Sequence, residues 1–296
     1  MSLSNFIVLY GLVVFGALFV AIQWLKRKRR PKLPFKPDRD KLLRGPGESL
    51  QQRIQLMDEN QIYLLVALMV LPLLGGSGVL VGLQAAQIGA PGLRMTLALL
   101  VALGLVTAGS IYLAKEALRR GNHYLGWFGE RMTAEELEPL REQGWRVFHD
   151  VPAESGKQEF NIDHVAIGPG GVFSIETKMR RKGDARPGRK EHEVFFNGKE
   201  LSWPWAEDTY GLSQAERNAV WLRDWLSLMT GDRLEVTPIL VFPCWYVVPP
   251  NARHKVSVVS LSYLAGFVSA RHDVLNPKQI DLLARQLEAC CRDVEY

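Results

Sequence analysis

Three long uncharged stretches dominate the pattern of apolar and polar positions in the first 115 residues. They cover residues 6–25, 62–83 and 95–114, and each has about the twenty residues that a helix needs to cross the hydrocarbon core of a bilayer. Pro72 and Gly75-Gly76 interrupt the second stretch, which membrane helices tolerate better than soluble ones. Because three such runs lie so close together, the pattern favours transmembrane helices over the alternative of buried core helices.

The distribution of positive charge predicts the orientation of these helices. Residues 26–61 contain 11 Lys and Arg, whereas the loop at 84–94 contains only Arg94. The first stretch is followed by basic residues rather than preceded by them, which indicates a retained anchor and not a cleaved signal peptide. The positive-inside rule then predicts an inner (plasma) membrane protein with its N-terminus outside and both segment 26–61 and the C-terminal domain in the cytoplasm. The basic run at 26–36 is expected to contact anionic lipid headgroups.

After this membrane region, residues 1–120, the pattern changes to that of a mixed α/β domain over residues 121–296. Short apolar or alternating runs predict strands, and longer periodic runs predict helices. The predicted strands cover residues 145–151, 161–167, 172–178, 236–244 and 256–261, with a hairpin at 194–201, and the predicted helices cover residues 124–143, 212–230, 262–270 and 277–293. This order predicts one central mixed sheet with flanking helices.

Cysteine content and charge bear on the cellular compartment and on where nucleic acid could bind. Three cysteines, two of them adjacent, cannot form a disulfide framework, so a reducing compartment is expected. The net charge of +5 comes from the membrane region, because residues 121–296 contain 21 Lys and Arg against 25 Asp and Glu. Any contact between the C-terminal domain and nucleic acid must therefore come from a local cluster of basic residues.

Two carboxylates are predicted to face each other in a hairpin. If the turn lies within Gly168–Gly171, antiparallel partners have residue numbers that sum to 339, so that Asp163 faces Glu176, with Lys178 on the same face. Carboxylates directly opposite on neighbouring strands lie about 5 Å apart at Cβ and repel each other unless a cation lies between them. A hard divalent cation fits this arrangement. The alternative is a solvated surface pair, which the apolar residues of both strands disfavour.

Four separated motifs in this region resemble the NERD (nuclease-related) domain, a branch of the PD-(D/E)XK nuclease superfamily. They are Gly126-x-x-Gly129-Glu130, Ile162-Asp163-His164, Gly168-Pro169-x-Gly-Val-Phe with Ile175-Glu176-x-Lys178, and Leu212-Ser213-Gln214-Ala215-x-x-Asn218, within residues 124–245. The resemblance implies a restriction-endonuclease-like fold after the three transmembrane helices. This sequence departs from the family in lacking a proline shortly before Gln214.

The resemblance also implies roles for individual residues. Asp163 and Glu176 would bind Mg²⁺ or Mn²⁺, and Lys178 would be the catalytic lysine. Glu130 would be the acid of the first helix that approaches the metal or its water, and Gln214 would support the site. The alternatives for these last two are an ordinary first-turn glutamate and a surface or capping glutamine.

A basic stretch begins where the strand with Glu176 and Lys178 ends. It is the one part of this acidic domain suited to contacting a phosphate backbone, although a solvated loop is the alternative. The residues expected to bind nucleic acid are Arg180, Arg181, Lys182, Arg186, Arg189 and Lys190.

Together these features predict a membrane-anchored, metal-dependent nuclease that hydrolyses phosphodiester bonds, with DNA as the expected substrate. The alternative is a non-catalytic module that binds nucleic acid or protein at the inner membrane. A transporter is disfavoured, because the predicted spans contain no ionisable residue.

Overall fold

The structure is a computed structural model that describes residues 3–29, 42–248 and 254–292, and within the first range it describes side chains only for residues 9–24. The described residues form two compact units. One unit contains residues 3–29 and 52–122, and the other contains residues 42–51, 123–248 and 254–292. Helices α2 (Glu48–Ala85) and α3 (Pro91–Leu137) contribute to both units, whereas α1 (Leu3–Arg29) belongs to the first.

Two helices are long and apolar enough to cross a membrane. They are α2 and α3, and only 17% and 6% of their most apolar windows are buried, which is less than a core helix would show. The span predicted at 6–25 lies within α1; its described side chains, Leu9–Trp24, form an apolar stretch, and the side chains of residues 6–8 and 25 lie outside the described residues. The structure thus supports two of the three predicted spans, and the basic side chains at 26–36 lie outside the described residues.

The second unit is a mixed α/β domain, as expected. Its strands are β1 (Arg146–Ser155), β2 (Gln158–Gly168), β3 (Gly171–Thr177), β4 (Glu193–Phe196), β5 (Leu201–Ser202), β6 (Glu207–Asp208), β7 (Val236–Phe242), β8 (Tyr246–Val248) and β9 (Ser257–Ser260). Its further helices are α4 (Pro139–Glu142), α5 (Leu212–Thr230), α6 (Leu264–Ser269) and α7 (Pro277–Cys290). The helix predicted at 124–143 is the end of α3 followed by α4. The break coincides with Pro139, which has no N–H with which to continue the helical hydrogen bonds.

The main sheet has the order β1-β2-β3-β7-β9. Strands β1, β2 and β3 are antiparallel, and β7 and β9 add to them in parallel. Ile167 pairs with Val172 and Gly168 with Gly171, so Pro169-Gly170 is a two-residue turn and the predicted register is confirmed. Every residue of β3 is buried, because β3 is the central strand and helices cover both faces of the sheet.

The prediction of a single sheet is wrong in one respect. Strands β4 and β5 form the predicted hairpin, but they belong to a second, four-stranded sheet with the order β6-β5-β4-β8. This sheet has its own aromatic core, in which the Trp203 ring packs edge-on against Phe242 and Trp245 at centroid distances of 4.9 and 5.0 Å. The strands are only two to four residues long, too short for their pairing to be identified from an apolar pattern.

Two histidines on the main sheet form a buried pair. His149 and His164 are partners in the β1–β2 register, and their Nδ1 atoms lie 2.8 Å apart. Burial, together with the positive charge of Arg141, lowers the pKa of His149 to about 4, and burial lowers the pKa of His164 well below its usual range. Both rings are therefore neutral at physiological pH.

This pair gives a prediction for stability at low pH. Below pH 6.5 the unfolded chain protonates a histidine that the folded protein keeps neutral, so His149 lowers stability as the pH falls from 6.5 to about 4. His149→Asn keeps a hydrogen-bonding group but does not titrate. Between these pH values wild type should lose roughly 2–3 kcal/mol more unfolding free energy than the variant, measured by urea unfolding. Parallel pH curves for the two proteins would contradict the assignment.

Candidate active site

Three acids and one lysine come together where β3 ends. Glu176 lies in β3, Asp163 in β2 and Glu130 in α3, while Lys178 directly follows β3. Glu176 is 1% exposed and Glu130 is 7% exposed. We call these four residues the acid–lysine cluster; burial, and then the charges of Glu176 and Glu130, raise the pKa of Asp163.

The two predicted metal ligands are each held by one oxygen. The backbone pairing of β2 and β3 ends at His164 and Ile175, and beyond it the Thr177 N–H donates to Asp163 Oδ2 at 2.7 Å. Glu176 Oε2 accepts a hydrogen bond of 2.8 Å from Asn218 Nδ2 on α5, and its Oε1 lies 2.6 Å from Lys178 Nζ. Asp163 Oδ1 accepts no hydrogen bond from a described residue, whereas Glu176 Oε1 is ion-paired with Lys178.

Burial sets the protonation of the cluster. It raises the pKa of Asp163 and of Glu176, and the positive charge of Lys178 only partly offsets this. Burial together with the charges of Asp150 and Glu176 raises the pKa of Glu130 to about 8. Burial works against the charged form of Lys178, but the negative charges of Glu176 and Asp163 raise its pKa above the ordinary value. Lys178 is therefore a cation at neutral pH.

The backbone around Lys178 is closely packed, so larger side chains would not fit beside it. Its N–H donates to the Val241 carbonyl on β7 at 2.9 Å, which continues the parallel pairing one residue beyond β3. Gly211 precedes α5 with φ of +86°, and a Cβ there would lie 3.1 Å from Lys178 Cγ and 2.9 Å from Leu240 Cδ1. Glycine thus allows both the left-handed conformation and the close approach. The exposed Tyr210 ring lies beside it, with its centroid 5.8 Å from Lys178 Nζ.

The helical residue that contacts the cluster is Asn218. Gln214, which the resemblance singled out, is half-buried in the first turn of α5 and has no hydrogen bond to a described residue. Asn218 lies one turn further along the same face of the helix, is buried, and donates to Glu176. The spacing of four residues within the motif was the available signal, because residues i and i+4 share one face of a helix.

The basic stretch lies against the second sheet, where acidic and aromatic side chains hold most of it. Arg180 pairs with Asp208 at 2.6 Å, and its guanidinium lies 4.6 Å from the Trp203 ring. The more exposed cations also have partners: Lys182 pairs with Glu191, Arg186 with Glu207, Lys190 with Glu193, and Arg189 lies over the Phe195 ring. Arg181 is exposed. Arg180 is thus part of the aromatic packing, whereas Lys182, Arg186 and Lys190 are more than half exposed.

The donor chemistry of the cluster fits a hard divalent cation through two protein ligands. Asp163 Oδ1 has no hydrogen bond from a described residue, Glu176 Oε1 has its ion pair with Lys178, and two carboxylates completed by waters and substrate oxygens suit Mg²⁺. Within the part of the chain that the structure describes, no group of three or more His, Cys, Asp or Glu side chains is arranged to hold a metal. A fully protein-built cage is therefore not present in that part.

Comparison with known families agrees with this geometry. Residues 125–243 match the model of the family described as nuclease-related domain, NERD. Over these residues the chain is similar to the NERD domain. No curated protein and no solved structure matches the chain.

The NERD match contains the whole acid–lysine cluster, Gln214, Asn218 and the basic stretch. It does not contain residues 42–51, α6 or α7, although these belong to the same compact unit. The family resemblance inferred from the four motifs is thus confirmed, and a part of the unit lies outside the family's bounds.

The buried Glu130 gives a stability prediction of opposite sign to that of His149. An acid whose folded pKa is raised stabilises fully below its unfolded pKa of about 4.5, and this stability is lost as the pH rises to about 8. Glu130→Gln removes the titration and keeps an acceptor oxygen. Relative to wild type, the variant should gain roughly 3 kcal/mol of unfolding free energy between pH 4.5 and 8.

The control is Glu135→Gln, an exposed glutamate on the same helix. It should show no such pH-dependent gain. If both variants follow wild type in parallel, Glu130 is not buried as an acid.

Proposed function

We propose that the NERD domain is a metal-dependent nuclease that hydrolyses phosphodiester bonds, with DNA as its substrate. The observation that carries the proposal is the acid–lysine cluster, in which three largely buried carboxyl groups surround one lysine. Burying several acids together costs stability unless a cation compensates them, so such a cluster is expected at a functional site and not in a core selected for stability alone. The match to a nuclease-related family supports the same interpretation.

Asp163 and Glu176 would hold the metal, Mg²⁺ or Mn²⁺. The metal would supply Lewis-acid polarisation of the phosphate and a nucleophilic water at neutral pH. Thr177 N–H and Asn218 fix one oxygen of each carboxylate, which orients the other oxygen. Gln214 would contribute from the same face of α5 once substrate is bound.

Lys178 acts in this proposal as a fixed positive charge. The negative charges of Glu176 and Asp163 raise its pKa and keep the ammonium protonated in the metal-free protein. It can stabilise the negative charge that develops on the phosphate oxygens in the transition state. Glu130, whose pKa burial raises to about 8 in the metal-free protein, would approach the metal or its water from α3.

The second candidate is a module that binds nucleic acid or protein without cutting. The observation in its favour is the absence of three convergent metal-ligand side chains in the described residues. Lys178 separates the two candidates, because cleavage depends on its charge whereas backbone binding is shared by several exposed cations.

Lys178→Ala should reduce cleavage of DNA with Mg²⁺ or Mn²⁺ by roughly 10²–10³-fold, because transition-state charge stabilisation is lost. Its affinity for DNA, measured by fluorescence anisotropy without metal, should change little. Wild-type protein that binds DNA but cuts no single-stranded or duplex DNA or RNA with either metal would establish the binding module instead.

The matched variant replaces Lys182, Arg186 and Lys190 by alanine. These exposed residues form surface ion pairs, which contribute little to stability, so the protein should remain folded. Affinity should fall, and the slope of log K against log salt should become shallower by about one unit for each phosphate that is no longer bound. Turnover at saturating DNA should be kept. Arg180 is left in place because it packs against Trp203.

We further propose that the chain is a multi-pass inner-membrane protein with its NERD domain in the cytoplasm, where it would reach DNA. The support is the two long apolar helices and the excess of Lys and Arg in segment 26–61. Alkaline phosphatase fused after Tyr296 should be inactive, and green fluorescent protein at the same position should fluoresce. The reverse pattern would place the domain outside the cytoplasm.

A further inference from the structure

Residues 42–51 precede the NERD match by more than seventy positions, yet they pack against it in the same compact unit. We call this segment the strap. The Arg44 N–H donates to the Cys291 carbonyl at 3.0 Å. The strap therefore also contacts the residue that ends α7, which lies C-terminal to the NERD match in the sequence. The strap is thus tied both to the matched part of the domain and to a residue outside the family's bounds.

Asp150 is the anchor of the strap. It is 2% exposed, and its carboxylate accepts four hydrogen bonds. The donors are Arg44 Nη1 at 2.8 Å, Ser49 N–H at 3.1 Å, Ser49 Oγ at 2.6 Å and Asn161 Nδ2 at 3.0 Å. Three of the four come from the strap. Asp150 lies between the pairs His149–His164 and Val151–Ile162, so in the strand register it is opposite Asp163 of the acid–lysine cluster.

The strap reaches the cluster through Gly47. The Gly47 backbone lies against the carboxyl group of Glu130. Gly47 is buried with φ of +67°, and a Cβ at this position would lie 2.8 Å from Trp127 Cδ1 and 3.4 Å from Glu130 Oε2. Only glycine combines this left-handed conformation with so close an approach, so the backbone here is shaped around Glu130.

Attaching the strap through Asp150 lowers the stability of the protein in two ways. Asp150 has a φ of +48°, which is uncommon for a residue other than glycine, and its buried charge adds to the repulsion on Glu130. Apolar packing would attach the strap without either cost. Strained and buried polar groups that persist in a fold tend to occur at functional sites, where surrounding structure holds them in place.

We propose that the strap completes the active site: Asp150, through Arg44 and Ser49, holds the strap so that Gly47 fixes the carboxyl group of Glu130. Asp150, Arg44 and Gly47 are positioning residues in this account, and the proposal rests on the nuclease function proposed above. One consequence is that a fragment cut at residues 125–243 or 121–296 lacks the group that orients Glu130.

A double-mutant cycle on the full-length protein tests this coupling. Arg44→Met should lower kcat for DNA cleavage roughly tenfold with little change in KM, because Glu130 is displaced while substrate binding is kept. Arg44→Lys, which can still donate to Asp150, should restore most of the activity. In a Glu130→Gln background, Arg44→Met should add less than a twofold loss, since both changes remove the same contribution.

The control is Arg146→Met. Arg146 lies on β1, as Asp150 does, but it forms an exposed pair with Asp281, so its loss should leave kcat unchanged. If the effects of Arg44→Met and Glu130→Gln multiply, or if Arg146→Met lowers kcat as much as Arg44→Met does, the strap has only a general structural role and the proposal is overturned.

Hydrogen exchange tests the strap without using catalysis. The Gly47 amide should be protected in wild type and in Glu130→Gln, which keeps an acceptor, and should exchange at least about tenfold faster in Glu130→Ala, where the acceptor is removed. Unprotected wild-type Gly47 would overturn the proposal directly. If the exchange pattern holds but wild type cuts no nucleic acid, the nuclease function has failed, while the positioning of Glu130 by the strap stands.

Discussion

The constraint on which the rest of the domain depends is the burial of Glu130, Asp163 and Glu176 beside a single lysine. Because β3 is the central strand, Glu176 cannot turn to solvent, and its charge must be met within the protein. Asn218, the Thr177 N–H and Lys178 meet part of it. What they leave, Asp163 Oδ1 without a hydrogen bond from a described residue and the remaining negative charge of both carboxylates, is what a divalent cation would satisfy, so the cost of burying these acids and the proposed chemistry have the same origin.

The basic stretch is held against the second sheet and is not a free loop. Its aromatic core encloses Arg180 between Trp203 and Asp208, and acidic residues of the sheet region pair with cations further along the stretch. A phosphate backbone that contacts this surface would exchange carboxylate partners for phosphates, which makes binding strongly dependent on salt. In this account, affinity for nucleic acid comes from the exposed residues Lys182, Arg186 and Lys190, and catalysis comes from the acid–lysine cluster.

The sequence-based predictions that the structure confirms depend on residues close together in the sequence. The Pro169-Gly170 turn defines the β2–β3 register, and this register by itself brings Asp163 and Glu176 together. What could not be predicted depends on long-range contacts: the second sheet is built from strands of two to four residues, and the strap reaches Asp150 from about a hundred residues away. Asn218 was within the recognised motif, but without side-chain positions nothing distinguished its contact with Glu176 from that expected of Gln214.

The central claim is that Asp163 and Glu176 bind a divalent cation beside Lys178. The most direct test is an anomalous difference map from crystals of the full-length protein grown with Mn²⁺. The account predicts one strong peak within coordination distance of both carboxylates, and its loss in Asp163→Asn crystals grown under the same conditions. A map without a peak at these carboxylates, or a peak that persists unchanged in the variant, would contradict it.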